Sequence, residues 1–305
     1  MVKEKNSKPL ANKIIKWFWI SFGALVVFIF LFFLLIAQGK IGYMPPVEDL
    51  ENPISKYASQ IISVDQKNMG TYAQSRENRV YVDYSELSPN LVNALIATED
   101  ERFMNHSGID AYALARAFIK RGILFQKNAG GASTISQQLA KQLYSEHART
   151  VTERLFQKPI EWVIAVQLER YYTKEELINM YLNKFDFLYN AVGIQSASWV
   201  YFGKLPKDIT IEEAATLIGM CKNPSYFNPL RQVDRTKGRR NVVLNLMREN
   251  KYIATQAECD SLKQLPLVTH YHKVDHKEGI APYFREFLRL TMTAKKPDRK
   301  DNQYR

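Results

Sequence analysis

The chain has 305 residues, of which 46% are apolar and 24% are charged. This composition supports a core of one or two domains and excludes a disordered chain. Two cysteines exclude a disulfide framework and a cysteine-rich zinc module. The formal net charge of +11 indicates an anionic partner. Composition alone leaves open whether that partner is nucleic acid, an anionic membrane surface or a phosphorylated substrate.

A long uncharged run lies near the N-terminus. Residues 1–16 carry five lysines and one glutamate, a net charge of +4, and the run extends from Trp17 to Gln38. It is long enough to cross a bilayer as one helix. A cleaved signal peptide would have a shorter apolar region and a small-residue cleavage site, which the following QGKIGYMPP does not offer. We therefore predict a cytoplasmic basic tail (1–16) and an uncleaved transmembrane helix (17–38), with the remaining chain outside the cytoplasm.

The rest of the chain divides into a short β region and a long helical region. Two short β-type runs flank Asn68-Met69-Gly70, which predicts a hairpin within a linker region at 39–80. From about Ser88 to Tyr252 the apolar residues recur at helical spacing, and Pro159 is expected at the first position of a helix. We predict a mainly α fold with a helical domain at 81–250 and a C-terminal connector at 251–305.

The first candidate site is an acidic cluster. Glu99, Asp100 and Glu101 follow the apolar run LVNALIA. Adjacent carboxylates repel one another, which favours a proton on one of them or a cationic neighbour. A carboxylate at the edge of a core is suited to act as a general base. A solvated acidic cluster at a helix end is the alternative.

The second candidate site follows the glycine pair Gly130-Gly131. Ser133 and Thr134 are natural N-cap residues, and Ser133, Gln137 and Lys141 recur at four-residue steps. A helix N-terminus with a hydroxyl, an amide and an ammonium on one face favours an anion. A well-capped surface helix is the alternative.

The third candidate segment is basic and contains one acid. Arg149, Arg154 and Lys158 precede Glu161. A cation and an acid three residues apart can also be a simple surface pair, which is worth less than about 1 kcal/mol. This segment by itself does not decide between the two interpretations.

Taken in order, these segments resemble the motifs of the peptidoglycan glycosyltransferases, glycosyltransferase family 51. The family's first motif, E-D-x-x-F-x-x-H-x-G, is matched by Glu99, Asp100, Phe103, His106 and Gly108. The second motif, G-x-S-T-I-T-Q-Q, is matched by Gly131, Ser133, Thr134, Ile135, Gln137 and Gln138, with Ser136 in place of the usual threonine. Five motifs in the right order, between about Val80 and Leu246, are a specific signal.

The remaining motifs match with departures. R-K-x-x-E appears as Gln157, Lys158 and Glu161, so glutamine replaces the arginine. K-x-x-I-L-E-x-Y-L-N matches at Lys174, Tyr181, Leu182 and Asn183, with Asn179 in place of the glutamate. The final arginine-rich motif resembles Arg239-Arg240. The missing arginine at Gln157 leaves the layout of charge at the site open, and Arg154 is its candidate replacement.

The resemblance implies a lysozyme-like glycosyltransferase domain and assigns its residues. Glu99 is expected to be the general base and Glu161 the second essential carboxylate. The expected substrate-binding residues are Asp100, Phe103, His106, Ser133, Thr134, Gln137, Gln138, Lys141, Arg149, Lys158 and Asn183. No cofactor is required by the sequence, although Mg²⁺ or Mn²⁺ bridging a pyrophosphate through Glu161 stays open.

The resemblance also implies partners and a place in the cell. The expected substrates are lipid II and a glycan linked to undecaprenyl pyrophosphate, at the outer face of the plasma (inner) membrane. The N-terminus is then cytoplasmic and the catalytic domain periplasmic. Cell-wall synthesis and regulatory proteins are candidate partners, and no nucleic acid is needed to explain the charge. A membrane-anchored muramidase-type hydrolase and a non-catalytic scaffold are the alternatives.

A second catalytic domain is not encoded in these residues. The motifs Ser-x-x-Lys and Lys-Thr-Gly of a penicillin-binding transpeptidase site do not occur. The stretch GIAPYFREFLRL, however, resembles the segment that precedes such a domain in bifunctional class A penicillin-binding proteins. We expect the chain to be the N-terminal part of a longer enzyme of that kind, with a monofunctional transglycosylase as the alternative.

Overall fold

A computed structural model shows a mainly α-helical protein, which confirms the predicted fold class. The structure describes residues 8–42, 44–46, 50, 59–65, 68–72, 80–123, 133–144, 151–272, 283–284, 287–288 and 290–291. Its helices there are α1 (Lys8–Ala37), α2 (Pro89–Glu99), α3 (Ala111–Ala117), α4 (Ile135–Tyr144), α5 (Val151–Tyr171), α6 (Lys174–Lys184), α7 (Ile194–Phe202), α8 (Ile211–Met220), α9 (Val233–Glu249) and α10 (Gln256–Gln264). A π-helical turn at Phe118–Ile123 continues α3.

Helix α1 has the length and composition of a membrane-spanning helix. It begins within the basic tail and carries an apolar segment from Asn12 to Ala37, in which a strongly apolar stretch of 18 residues is only 6% buried. A helix in the core of a soluble protein would be mostly buried. The exposed apolar surface of α1 therefore fits a lipid environment.

The predicted hairpin is present, but the predicted position of its turn is wrong. Strands β1 (Ser59–Ile62) and β2 (Asn68–Tyr72) pair antiparallel, with Ser59 opposite Tyr72. Asn68-Met69-Gly70 opens β2, and the connection lies before it, where the Ser63 hydroxyl donates to the Asp65 carboxylate. Short polar side chains that bond within a turn stabilise it without a glycine.

Helix α2 occupies the centre of the core. Its first turn is capped by Ser88, whose hydroxyl accepts a hydrogen bond from the Asn90 backbone at 3.3 Å, and Pro89 supplies the first helical residue. Leu91 and Leu95 are fully buried. The helix packs against α8 and α9, and its last residue is the acid Glu99. Glu99, the first residue of the acidic cluster, therefore lies at the edge of the hydrophobic core.

Helix α5 does not begin at Pro159, as the sequence suggested. It begins at Val151 and contains Pro159 in its interior. A proline inside a helix removes one backbone hydrogen bond, and this helix packs against α4 and α1. Glu161 consequently lies in the body of the helix, so the helix dipole of a first turn does not act on it.

The end of α1 packs directly on α5. The Phe33 ring stacks on Trp162 with centroids 6.3 Å apart, and Phe32 lies 6.2 Å from Phe156. Ile36 is fully buried at this contact end of α1. Aromatic pairs of this kind add about 0.5–1.5 kcal/mol each beyond the area they bury. The apolar helix is therefore joined to the helical domain by packing as well as by the chain.

Two glycines allow a test of the backbone. Gly193 precedes α7 with φ +83°, and a Cβ there would lie 2.8 Å from the Asn183 carbonyl oxygen. We expect Gly193→Ala to destabilise the protein by more than about 1 kcal/mol, because both the conformation and the space are wrong for alanine. Gly238, in the exposed interior of α9 with nothing within 4 Å, is the matched control.

Gly238→Ala should stabilise the protein by about 0.5–1 kcal/mol, since alanine favours a helix. Thermal unfolding of both variants in the same detergent, followed by circular dichroism, measures the two shifts. Equal shifts of the same sign would contradict this description of the turn before α7.

Candidate active site

Glu99 is held in one orientation by a chain of hydrogen bonds. Its Oε2 accepts a hydrogen bond from Gln138 Nε2 at 2.9 Å, and Gln138 Oε1 accepts one from the Tyr181 hydroxyl at 3.1 Å. The Glu99 side chain is 16% exposed. The predicted base is thus positioned by α4 and α6 and remains open to solvent on one side.

A second group reaches Glu99 from α9. Arg239 Nη2 lies 3.9 Å from Glu99 Oε1, and the Arg239 side chain is 12% exposed. Burial lowers the pKa of Arg239, while the Glu99 carboxylate acts in the opposite direction. The sequence placed Arg239 in a motif but did not predict this contact, because nothing in its local pattern points to residue 99. Its neighbour Arg240 instead donates to the backbone carbonyls of Lys263, in the last turn of α10, and of Leu265 and Pro266, which follow that helix.

The protein side of Glu99 is completed by Tyr181 and Cys221. Burial raises the pKa of both groups well above its usual value, and the nearby Glu99 carboxylate raises both further. Neither hydroxyl nor thiol therefore ionises near neutral pH. The carboxylate is surrounded by neutral or cationic groups from four helices or helix ends.

Asp100 points away from Glu99 and ties the loop after α2 to the start of α4. Its carboxylate accepts hydrogen bonds from the Ile135 backbone at 3.1 Å and contacts His106 Nε2 at 3.0 Å. Phe103 is fully buried, with Lys174 Nζ 4.2 Å above its ring. Asp100, Phe103 and His106 therefore contact other parts of the protein and hold the site in place, and they do not line its open face.

The same holds for Thr134 and Gln137. The Thr134 hydroxyl donates to the Gly108 carbonyl at 2.7 Å and caps α4, and Gln137 Nε2 donates to the same carbonyl at 3.1 Å. Gly108 has φ +85°, and a Cβ there would lie 2.9 Å from the backbone of Ala165. Gln137 is buried and Lys141 exposed, so Ser133, Gln137 and Lys141 do not form one open face.

Lys158 and Glu161 form a second charged centre. Lys158 Nζ lies 2.6 Å from Glu161 Oε2 and 3.4 Å from the Ser133 hydroxyl. Glu161 is 1% exposed, whereas Lys158 is 50% exposed. The buried carboxylate orients the ammonium, and the ammonium faces outward. Ser133, just before α4, and Gln138, its fourth residue, are five residues apart, which corresponds to about 7.5 Å along a helix axis. Both centres therefore lie beside the N-terminal part of α4.

The other predicted site residues are placed as follows. Lys141 is exposed on α4. Arg149 lies outside the described residues, as does the side chain of Arg154. Asn183 accepts a hydrogen bond from the Val82 backbone at 3.0 Å and donates to the Val82 carbonyl at 2.9 Å. It joins the chain before α2 to α6 and does not reach Glu99 or Lys158 through the hydrogen bonds that it makes.

The described residues near Glu161 do not fit a resident metal ion. No group of three or more His, Cys, Asp or Glu side chains that could hold a metal occurs within the part of the chain that the structure describes. The Lys158 ammonium lies directly against the Glu161 carboxylate. A divalent cation needs several oxygen ligands, so we assign it no step here.

The two centres define a class of chemistry. A carboxylate with one open side can accept the proton of an alcohol, and an outward-facing ammonium can neutralise an anion. An enzyme that transfers a group from an anionic leaving group to a hydroxyl needs both.

Comparison with known proteins identifies the family. A family model described as Transglycosylase matches residues 65–248. Penicillin-binding protein 1A of Escherichia coli K12 is 38% identical over 250 residues, which cover 82% of this chain and 28% of that protein. Penicillin-binding protein 1F of Bacillus subtilis is 36% identical over 242 residues, 79% of this chain and 32% of that protein. The chain belongs to the transglycosylase family, the peptidoglycan glycosyltransferases.

These relatives are much longer than this chain, which spans less than a third of the length of those just described. A crystal structure of penicillin-binding protein 1A from Haemophilus influenzae aligns with 78% of this chain and 24% of that one, with a TM-score of 0.39 and 24% sequence identity.

The contact between Glu99 and Cys221 can be tested without any substrate. Glu99→Gln removes the carboxylate that raises the pKa of the Cys221 thiol, so that pKa should fall. More thiolate is then present at a given pH, and we expect iodoacetamide to alkylate Cys221 faster between pH 8 and about 9. Mass spectrometry of the modified peptide measures the rate.

Glu101→Gln is the control, since Glu101 is exposed and pairs with Arg116 at 3.1 Å. It should leave the rate unchanged, and Cys221→Ser should remove the signal. Equal rates for Glu99→Gln and the unchanged protein would place Glu99 away from the thiol.

Proposed function

We propose that this domain polymerises lipid II into glycan strands and releases undecaprenyl pyrophosphate. The observation that carries the proposal is the orientation of Glu99 by Gln138 and Arg239, beside the first turns of α4, with the Lys158–Glu161 pair close to Ser133, just before the same helix. Family membership supports a glycan substrate. The Glu99 centre supplies a base for the attacking hydroxyl, and the Lys158 centre supplies positive charge for the leaving pyrophosphate.

The proposed reaction is an inverting displacement. The 4-hydroxyl of the GlcNAc of lipid II attacks the anomeric carbon of the glycan attached to undecaprenyl pyrophosphate. Glu99 accepts the hydroxyl proton as the new C–O bond forms, and the bond from the anomeric carbon to the pyrophosphate oxygen breaks with its electron pair. A positioned general base contributes roughly 10²–10⁴-fold to such a step. The hydrogen bond from Gln138 keeps one carboxylate oxygen occupied and leaves the other for the substrate.

The leaving pyrophosphate needs positive charge rather than a proton. Lys158 is oriented by a buried acid, and half of its side chain is exposed. We assign Lys158 to the pyrophosphate, Glu161 to holding Lys158 in place, and Lys141 and Arg149 to further neutralisation of the same charge. Preorganised cations of this kind act where charge develops in the transition state.

A membrane-bound substrate fits the position of α1. We infer that α1 crosses the plasma membrane once, with residues 1–16 in the cytoplasm, because lysine-rich flanks are retained there. The surface from α3 into the following π turn exposes Tyr112, Phe118 and Ile119. Exposed aromatic and aliphatic side chains next to Lys120 suit the membrane interface. The domain would then meet its lipid-linked substrate in the plane of the membrane.

The base assignment is tested with purified full-length chain and lipid II. Glu99→Gln should lower the rate of polymer formation by roughly 10²–10⁴-fold, because the amide cannot accept the proton. The products are polymer, seen by gel electrophoresis, and released undecaprenyl pyrophosphate. Glu101→Gln, two residues along the chain and exposed, should retain the full rate.

Three outcomes would contradict parts of the proposal. Full activity of Glu99→Gln with an unchanged melting temperature would exclude Glu99 as the base. Reducing fragments from preformed glycan without polymer from lipid II would favour a hydrolase. Neither product from any variant, with intact folding, would favour a non-catalytic scaffold.

The leaving-group assignment is tested at Lys158. Lys158→Gln should lower the rate roughly 10²–10³-fold, as expected when one oriented charge is lost from a transition state. Lys207→Gln, at an exposed lysine of the short helix Pro206–Asp208, is the control and should be neutral. Restoration of Lys158→Gln by added Mg²⁺ would instead favour a divalent cation beside Glu161.

A further inference from the structure

The loop between α6 and α7 contains a run of unusual backbone conformations. Leu188, Tyr189 and Asn190 have φ values of +67°, +53° and +61°. Asparagine tolerates this left-handed backbone conformation, but leucine and tyrosine rarely adopt it. The run is held by Leu188, whose backbone donates to the Asp186 carboxylate at 2.8 Å, and by Ala191, which donates to the Leu188 carbonyl at 2.8 Å. Such strain persists where the surroundings enforce it, often at binding sites.

This loop forms one wall of a cavity of about 220 Å³. The opposite wall is the segment between α8 and α9. The lining residues are Leu188, Tyr189, Ser225, Asn228 and Arg231. Drug-sized pockets measure about 300–1,000 Å³, so the cavity suits a smaller molecule. None of these residues is among the hydrogen-bond or ion-pair partners of Glu99 or Lys158 described above.

A buried donor without a partner faces this space. Asn228 is 1% exposed, and its Oδ1 accepts a hydrogen bond from the Leu230 backbone at 3.0 Å. Its amide nitrogen makes no hydrogen bond within the described chain. The amide acts on the Tyr201 hydroxyl and lowers the pKa of Tyr201 against the larger rise that burial causes, but the two groups do not reach hydrogen-bond geometry. A buried unsatisfied donor is costly, which favours a ligand that accepts its hydrogen.

The charge of the lining selects the kind of ligand. Arg231 forms no ion pair among the described residues and lies 5.9 Å from the centre of the Tyr189 ring. Ser225 adds a hydroxyl, and no acid lines the cavity. Arginine and amide donors around one space match the geometry of a carboxylate, whereas a cation would find no negative partner there. Leu188 and Tyr189 supply an apolar wall for the rest of the molecule.

We propose that this cavity binds a small organic carboxylate, with its oxygens on Arg231 and the Asn228 amide and its aliphatic part against Leu188 and Tyr189. The site is separate from the Glu99 and Lys158 centres and does not rest on the reaction proposed for them. The left-handed backbone at Leu188 and Tyr189 keeps these side chains opposite the two donors. The conformational strain of this loop therefore has a role in binding.

The proposal is tested with the full-length chain in detergent and N-acetylalanine as the probe. Saturable binding with a Kd of about 1 mM is expected for so few atoms. N-acetylalaninamide, which has the same shape without the charge, should bind at least about tenfold more weakly, because a hydrogen bond to a charged group is lost. Titration followed by saturation-transfer NMR measures both.

Arg231→Gln should weaken N-acetylalanine binding at least about tenfold, since the charged partner is lost. Arg231 is exposed, so the variant should fold, and its melting temperature verifies that. Arg235→Gln is the matched control, because Arg235 lies over the Tyr226 ring at 4.7 Å and does not line the cavity. It should bind as the unchanged protein does.

Four results would overturn the proposal. The first is the absence of saturable N-acetylalanine binding. The second and third are an affinity for N-acetylalaninamide equal to that for N-acetylalanine, and an unchanged affinity for N-acetylalanine in Arg231→Gln. The fourth is competition by inorganic phosphate that is as strong as competition by N-acetylalanine itself. The last result would show a simple anion site without the apolar contact.

Discussion

The buried carboxylate of Asp100 holds the site together. It accepts a hydrogen bond from the first residue of α4 and contacts His106 in the loop that follows α2. Because Asp100 directly follows Glu99, this one side chain sets the end of α2 against the start of α4. Glu99 and Gln138 can then meet at 2.9 Å. A buried charge that loses a partner is strongly destabilising, so the geometry of the base depends on a neighbour that does not touch the substrate side.

Under the proposed reaction, the motif residues divide into those that support the site and those that take part in the chemistry. Four of the motif residues form hydrogen bonds with the protein backbone: Asp100, Thr134, Gln137 and Asn183. Glu99 and Lys158 each keep one face toward solvent.

Much of the helical fold could be predicted from the sequence, because helical periodicity is local. The packing between distant segments could not. The contact of Arg239 with Glu99 depends on how α9 packs across α2, and the local sequence pattern does not predict that packing. Proline favours the first position of a helix, so the sequence predicts a helix start at Pro159, yet α5 continues through that residue. The local pattern likewise predicts a turn at Asn68-Met69-Gly70, whereas these residues open β2 and the connection precedes them.

The stacking of Phe33 on Trp162 has a consequence for the depth of the site. Trp162 adjoins Glu161 on α5, so one helix carries both the contact with α1 and the charged pair proposed to meet the pyrophosphate. With α1 in the bilayer, the height of that pair above the lipid headgroups is set by a rigid helix–helix contact rather than by the slack of a linker. A phosphate group fixed to a lipid also has a defined height. The enzyme and its substrate would then be matched along the membrane normal before they meet.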